Sequence, residues 1–186
     1  MWKTFSFLVI FWCWSAAMAD DITGASAHDF TFISIDGQTL ALSSYAGKAV
    51  FLVNTASRCG FTKQYSQMQD LWQRYKDRGL IVLGIPSNDF GNQEPGSEDE
   101  IKTFCRINFD INFPMTSKVR VTGSDAHPFY RWAYKQGGTL SKPRWNFHKY
   151  LIDRNGKFVD WFASPTSPLS SKVINAIEDV LGSKSE

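Results

Sequence analysis

The sequence is poor in the residues that usually mark a site. Its 186 residues include three cysteines and three histidines. His28, His127 and His148 keep no metal-ligand spacing with one another or with the cysteines, so no metal and no cofactor are expected. There is no Cys-x-x-Cys pair, which disfavours general dithiol exchange. The formal net charge is only +2, with no run of lysines or arginines. That argues against nucleic acid as a main partner. No repeat, low-complexity segment or second domain is visible. Beyond residue 19 no apolar segment is long enough to cross a membrane.

The first 19 residues have the pattern of a secretory signal. Lys3 supplies the positive start, Phe5 to Trp14 is almost purely apolar, and Ala17-Met18-Ala19 has the small-x-small form that precedes cleavage. The chain is therefore expected to be exported, periplasmic if bacterial and otherwise secreted, with no stable membrane insertion after cleavage. Residues 20–28 are small or polar and are expected to be flexible. Residues 29–186 suit one domain with one core. Cys13 falls inside the leader, leaving Cys59 and Cys105. In an oxidising compartment, two cysteines also fit a plain structural disulfide.

The remaining pattern alternates strands and helices. Ala49–Asn54 and Leu80–Ile85 are short apolar runs with the character of buried strands. Between them Tyr65, Met68, Leu71, Trp72 and Tyr75 recur at helical spacing over about residues 63–76, and Gly79 follows. This is a strand–helix–strand unit with parallel pairing. Ser97-Glu98-Asp99-Glu100 is a capping box opening a helix to about Asn108. A short helix is expected over Pro128–Gln136. Two strands, Phe147–Ile152 and Lys157–Phe162, are joined by a turn at Asp153–Gly156. A terminal helix is expected to start at Ser167-Pro168. The order predicts an α/β, thioredoxin-like fold: a mixed central sheet with helices on both faces.

Cys59 follows the first buried strand and precedes its helix. A thiol there is expected to face the positive end of the helix, which favours the thiolate. The carboxyl edge of a sheet is also where α/β proteins place their sites.

Three motifs then resemble the glutathione peroxidase family: Asn54-Thr55-Ala56-Ser57-Arg58-Cys59-Gly60-Phe61-Thr62, Ile85–Gly96, and Trp145-Asn146-Phe147. The resemblance runs from about Phe30 to Leu181. It implies a cysteine-type peroxidase whose reacting residue is Cys59, surrounded by Gln93, Trp145 and Asn146. Their N–H donors suit a thiolate and the charge that develops on a breaking O–O bond. Cys105 matches the resolving cysteine of thioredoxin-dependent members. The resemblance implies a hydroperoxide substrate, a Cys59 sulfenic acid closed by Cys105 to a disulfide, and recycling by a thioredoxin-like protein or glutathione. The helix carrying Cys105 is expected to shift or unwind for the sulfurs to meet.

Two positions depart from the family pattern. Ser87 removes a third thiol, and Asp89 replaces the usual glutamine. The short segment Gly137–Ser141 points to a monomer and an open site. A redox sensor using the same two thiols, and a non-catalytic module with a structural disulfide, remain as rival readings.

Overall fold

The structure is a computed structural model that describes residues 26–182. Residues 1–25, which include the expected signal segment and Cys13, and residues 183–186 lie outside the described residues.

The frame is a four-stranded sheet. Its strands are β3 (Ala49–Thr55), β4 (Leu80–Pro86), β5 (Lys149–Ile152) and β6 (Phe158–Phe162), in the order β4-β3-β5-β6. A separate two-stranded hairpin comprises β1 (Thr31–Ile33) and β2 (Thr39–Ala41). β3 and β4 pair in parallel, joined by α1 (Gln64–Tyr75), while β5 runs antiparallel to both β3 and β6. β3 and β4 are buried at every position. That is why they read as unbroken apolar runs rather than alternating ones. Pro86 is tolerated because it ends an edge strand.

Side chains alternate between two core layers. Phe51 and Val53 face α1, α2 (Glu98–Phe109) and α4 (Ser171–Leu181). Val50 and Leu52 face α3 (Pro128–Gly137) and the β1–β2 hairpin. Helices on both faces of a mixed sheet make this the thioredoxin-like α/β fold that the sequence pattern predicts.

Local signals account for most boundaries. Gly79, at φ 93°, closes the turn after α1 in a left-handed conformation that suits glycine. Both arms of the Ser97–Glu100 capping box are present. His127 caps α3 by accepting from the Phe129 N–H, and Pro128 takes the first turn.

Two expectations need correction. The terminal helix begins at Ser171 with Ser170 as its cap, because Ser167 instead caps the local turn by accepting from Leu169 N–H. Residues 26–28, expected to be flexible, are instead tied down. Ser26 and Asp29 form a capping box around a 3-10 turn, Ala27 is buried, and its N–H donates to Gly156 O at 2.8 Å. That stretch is docked on the β5–β6 turn.

Candidate active site

Cys59 lies in a tight turn between β3 and α1. Thr62 fastens that turn. Its Oγ1 accepts from the Cys59 N–H at 3.0 Å and faces the carbonyls of Ala56 and Cys59 at 3.0 and 2.6 Å. The sequence shows Thr62 only as a missing second cysteine. The structure gives it a positive role as the staple of the reactive turn. Cys59 is largely buried, 8% exposed, and its sulfur accepts from the Phe61 backbone N–H at 3.4 Å. α1 begins at Gln64, one residue from the expected start near residue 63, and the turn before it supplies the Phe61 amide that reaches the sulfur.

Two further segments converge on this edge of the sheet. Gln93 O accepts from Arg58 N–H at 3.0 Å, tying the second motif to the residue before Cys59. The Gln93 side chain accepts from Asn146 Nδ2 at 2.9 Å. Gly91, at φ 64°, lies where an added Cβ would touch the Gln93 side chain at 3.5 Å and the Trp145 ring at 3.6 Å. Three expected site residues, Gln93, Trp145 and Asn146, are thus brought together. Asn146 is fully buried and its Oδ1 has no partner, an acceptor open to a hydroxyl or hydroperoxyl hydrogen. Trp145 is 39% exposed, so part of it remains open to solvent.

Asn54 organises the third motif, a role the sequence did not reveal. Its side chain donates to Trp145 O at 3.2 Å, its carbonyl accepts from Phe147 N–H at 2.6 Å, and its N–H donates to His148 O at 3.2 Å. Phe147 sits at φ 63°, a left-handed backbone that a non-glycine residue adopts only at a cost. The clamp from Asn54 holds that turn, which presents Trp145 and Asn146 in succession. The sequence shows Asn54 only as the opening residue of the first motif and a polar end to an apolar run.

Cys105 lies in the middle of α2, 1% exposed, in the same core layer as Cys59. Both cysteines are free thiols. Burial pushes the Cys105 thiol up to about 12, with the nearby Glu94 carboxylate adding to the rise and the Tyr65 hydroxyl opposing it. Glu94 is itself buried, which raises its pKa, and it accepts from Ser57 Oγ at 3.1 Å.

Beside Trp145 runs a cavity of about 290 Å³ lined mainly by apolar groups. Phe61, Leu140, Trp145 and His148 form its walls, and the exposed Lys142 and Arg144 stand among its lining residues. Burial holds His148 neutral, with its pKa lowered to about 4, and its ring stacks on Trp161 at 5.4 Å. Asp89 points elsewhere. Its Oδ2 accepts from the N–H groups of Val121 and Thr122 at 2.7 and 2.9 Å, so this departure secures a neighbouring loop. Among the described residues no group of three or more His, Cys, Asp or Glu side chains is placed to hold a metal.

The glutathione peroxidase family model matches residues 27–134. A glutathione peroxidase homolog, BsaA, of Halalkalibacterium halodurans is 46% identical over 158 residues, covering 84% of this chain and 99% of that protein. A hydroperoxy fatty acid reductase of Synechocystis is 42% identical over 149 residues, 76% of this chain and 88% of that one. A solved structure described as Trgpx in apo form superposes with a TM-score of 0.68 at 36% identity, covering 84% of this chain and 96% of the other. With the motifs assembled at one sheet edge and the match running through most of the chain, the protein belongs to the glutathione peroxidase family, as a peroxidase of the cysteine-type branch.

Proposed function

We propose that Cys59 is the residue that meets the hydroperoxide. Its thiolate attacks the nearer peroxide oxygen, the O–O bond breaks, and water or an alcohol leaves. Donors from Gln93, Asn146 and Trp145 act on the charge that develops on the departing oxygen. Cys59 becomes a sulfenic acid, and Cys105 condenses with it to a disulfide. A thioredoxin-like dithiol, or glutathione, then restores both thiols. The observation that carries this reading is the pair of free thiols in one core layer, one of them in a turn tied through Arg58 N–H to the carbonyl of Gln93, whose side chain is joined to Asn146.

The cavity beside Trp145 supports organic as well as hydrogen peroxide as substrate. Its walls suit an acyl chain, Lys142 and Arg144 suit a carboxylate, and one relative is named for hydroperoxy fatty acids. The protein acts as an exported monomer. The short Gly137–Ser141 segment, folded into a 3-10 turn whose Ser141 carbonyl accepts from the Tyr150 hydroxyl at 2.6 Å, supports the monomer.

The test follows peroxide consumption with a thioredoxin system and, separately, with glutathione. Wild type is expected to turn over with the dithiol donor. Cys59→Ser should abolish turnover, and Cys105→Ser should abolish the thioredoxin-linked part. Full activity in Cys59→Ser overturns the first role, and unchanged thioredoxin-linked activity in Cys105→Ser overturns the second.

A further inference from the structure

Tyr65 projects from the first turn of α1 and is fully buried. Its ring lies between Phe147 and Phe109, each with its centroid 5.4 Å away. Phe147 follows Asn146, and Phe109 closes α2. The Tyr65 hydroxyl lies against two groups, the Cys105 thiol and the Thr55 hydroxyl. Neither contact reaches hydrogen-bond geometry. Tyr65 Oη and Thr55 Oγ1 are both buried oxygens without a partner.

Such oxygens weaken a fold. A buried hydroxyl that makes no hydrogen bond loses its water and gains nothing, and phenylalanine would fill the same space without that loss. Packing therefore accounts for the ring but not for the oxygen. The group it faces does account for it. A neutral thiol is a weak acceptor, whereas a thiolate is a strong one.

We propose that Tyr65 is a catalytic residue of disulfide closure, its hydroxyl donating to the Cys105 sulfur as that thiol loses its proton. The inference rests on the resolving role of Cys105 proposed above. In the step, the Cys105 S–H bond breaks and its sulfur attacks the sulfenic sulfur of Cys59. The S–S bond forms as the S–O bond breaks, and the departing hydroxide leaves as water with the thiol proton. Cys105 is oxidised and the Cys59 sulfur is reduced from sulfenic acid to disulfide, with no outside reductant. Tyr65 keeps its proton throughout. As the charge develops, the Thr55 hydroxyl closes on the phenol oxygen as its donor, which leaves the phenol hydrogen for the sulfur. Tyr65 also stands on the side of the reaction that stays still. α1 follows directly from the Cys59 turn, and Tyr65 N–H donates to Thr62 O at 3.0 Å. The hydroxyl therefore keeps its place, and a loosening α2 carries the Cys105 sulfur past it toward Cys59.

The experiment compares reduced wild type, Tyr65→Phe and Thr55→Val after one equivalent of hydrogen peroxide. Rapid quenching with dimedone and mass spectrometry separates Cys59 oxidation from disulfide closure. Tyr65→Phe should oxidise Cys59 at the wild-type rate, close the disulfide roughly tenfold or more slowly, as expected for loss of a donor to a charged sulfur, and unfold at the same or a higher temperature. Thr55→Val should slow closure less. Closure by Tyr65→Phe at the wild-type rate or faster overturns the proposal alone. A wild type that forms no Cys59–Cys105 disulfide overturns the resolving role and the proposal with it.

Discussion

The stability of α2 should set how fast the disulfide closes, and Ser97→Ala measures this. In the closed fold Cys105 is 1% exposed and its thiol is pushed up to about 12. At neutral pH that leaves roughly one molecule in a hundred thousand as thiolate. Closure therefore needs α2 to loosen enough to ease that burial and bring Cys105, still beside Tyr65, toward Cys59, and anything that loosens α2 should hasten it. Ser97 Oγ accepts from Glu100 N–H at 3.3 Å, and Glu100 returns the bond to Ser97 N–H at 2.8 Å. Losing a serine cap costs a helix about 1 kcal/mol, which raises the open population roughly fivefold. Asp110 gives the opposite change. It ends α2 at φ 52°, a left-handed conformation that glycine adopts more readily, so Asp110→Gly should tighten the helix end and slow closure. The assay is stopped-flow tryptophan fluorescence after one equivalent of peroxide, with closure checked by quenched mass spectrometry. Ser97→Ala should close about fivefold faster while Cys59 oxidation is unchanged. A Ser97→Ala rate equal to or below wild type refutes the gating argument.

Three further outcomes are expected. Asn146→Ala removes the amide that donates to Gln93 and should slow the reaction of Cys59 with hydrogen peroxide by about ten- to a hundredfold in stopped flow; a wild-type rate would remove Asn146 from the chemistry. His148 is held at about 4 instead of 6.5, so the fold favours its neutral form. The associated stability is fully present above pH 6.5 and is lost as pH falls toward 4, on the order of 3 kcal/mol, and urea unfolding of His148→Phe should show a flatter acid limb. Asp89→Ala leaves two backbone N–H groups unpaired and should cost about 1–3 kcal/mol in urea unfolding, with the peroxide rate unchanged.

Much of the fold was legible in the sequence because its strongest signals are local. The buried strands Ala49–Thr55 and Leu80–Pro86, the capping box at Ser97 and the His127-Pro128 helix start depend on neighbours within a few residues. Cys59 was legible from its place after a buried strand, while Gln93, Trp145, Asn146 and Cys105 came from motif resemblance, since Trp145 lies 86 positions beyond Cys59 and no periodicity links them. What escaped was set by long-range contact. Ala27 is ordered by Gly156, which lies far along the chain. Asn54 acts through Trp145 and Phe147, and Tyr65 looks like an ordinary apolar-face residue of α1 until Cys105 is brought beside it. The Thr62 staple of the Cys59 turn is local, but no spacing rule announces it.

The central claim is that Cys59 takes the peroxide oxygen and Cys105 removes it. It is tested most directly in reduced Cys105→Ser given one equivalent of hydrogen peroxide and then dimedone. Peptide mass spectrometry should find one dimedone adduct, on Cys59, and the same treatment of wild type should instead yield the Cys59–Cys105 disulfide. Peroxide consumed at the wild-type rate with Cys59 unlabelled in Cys105→Ser would contradict the account.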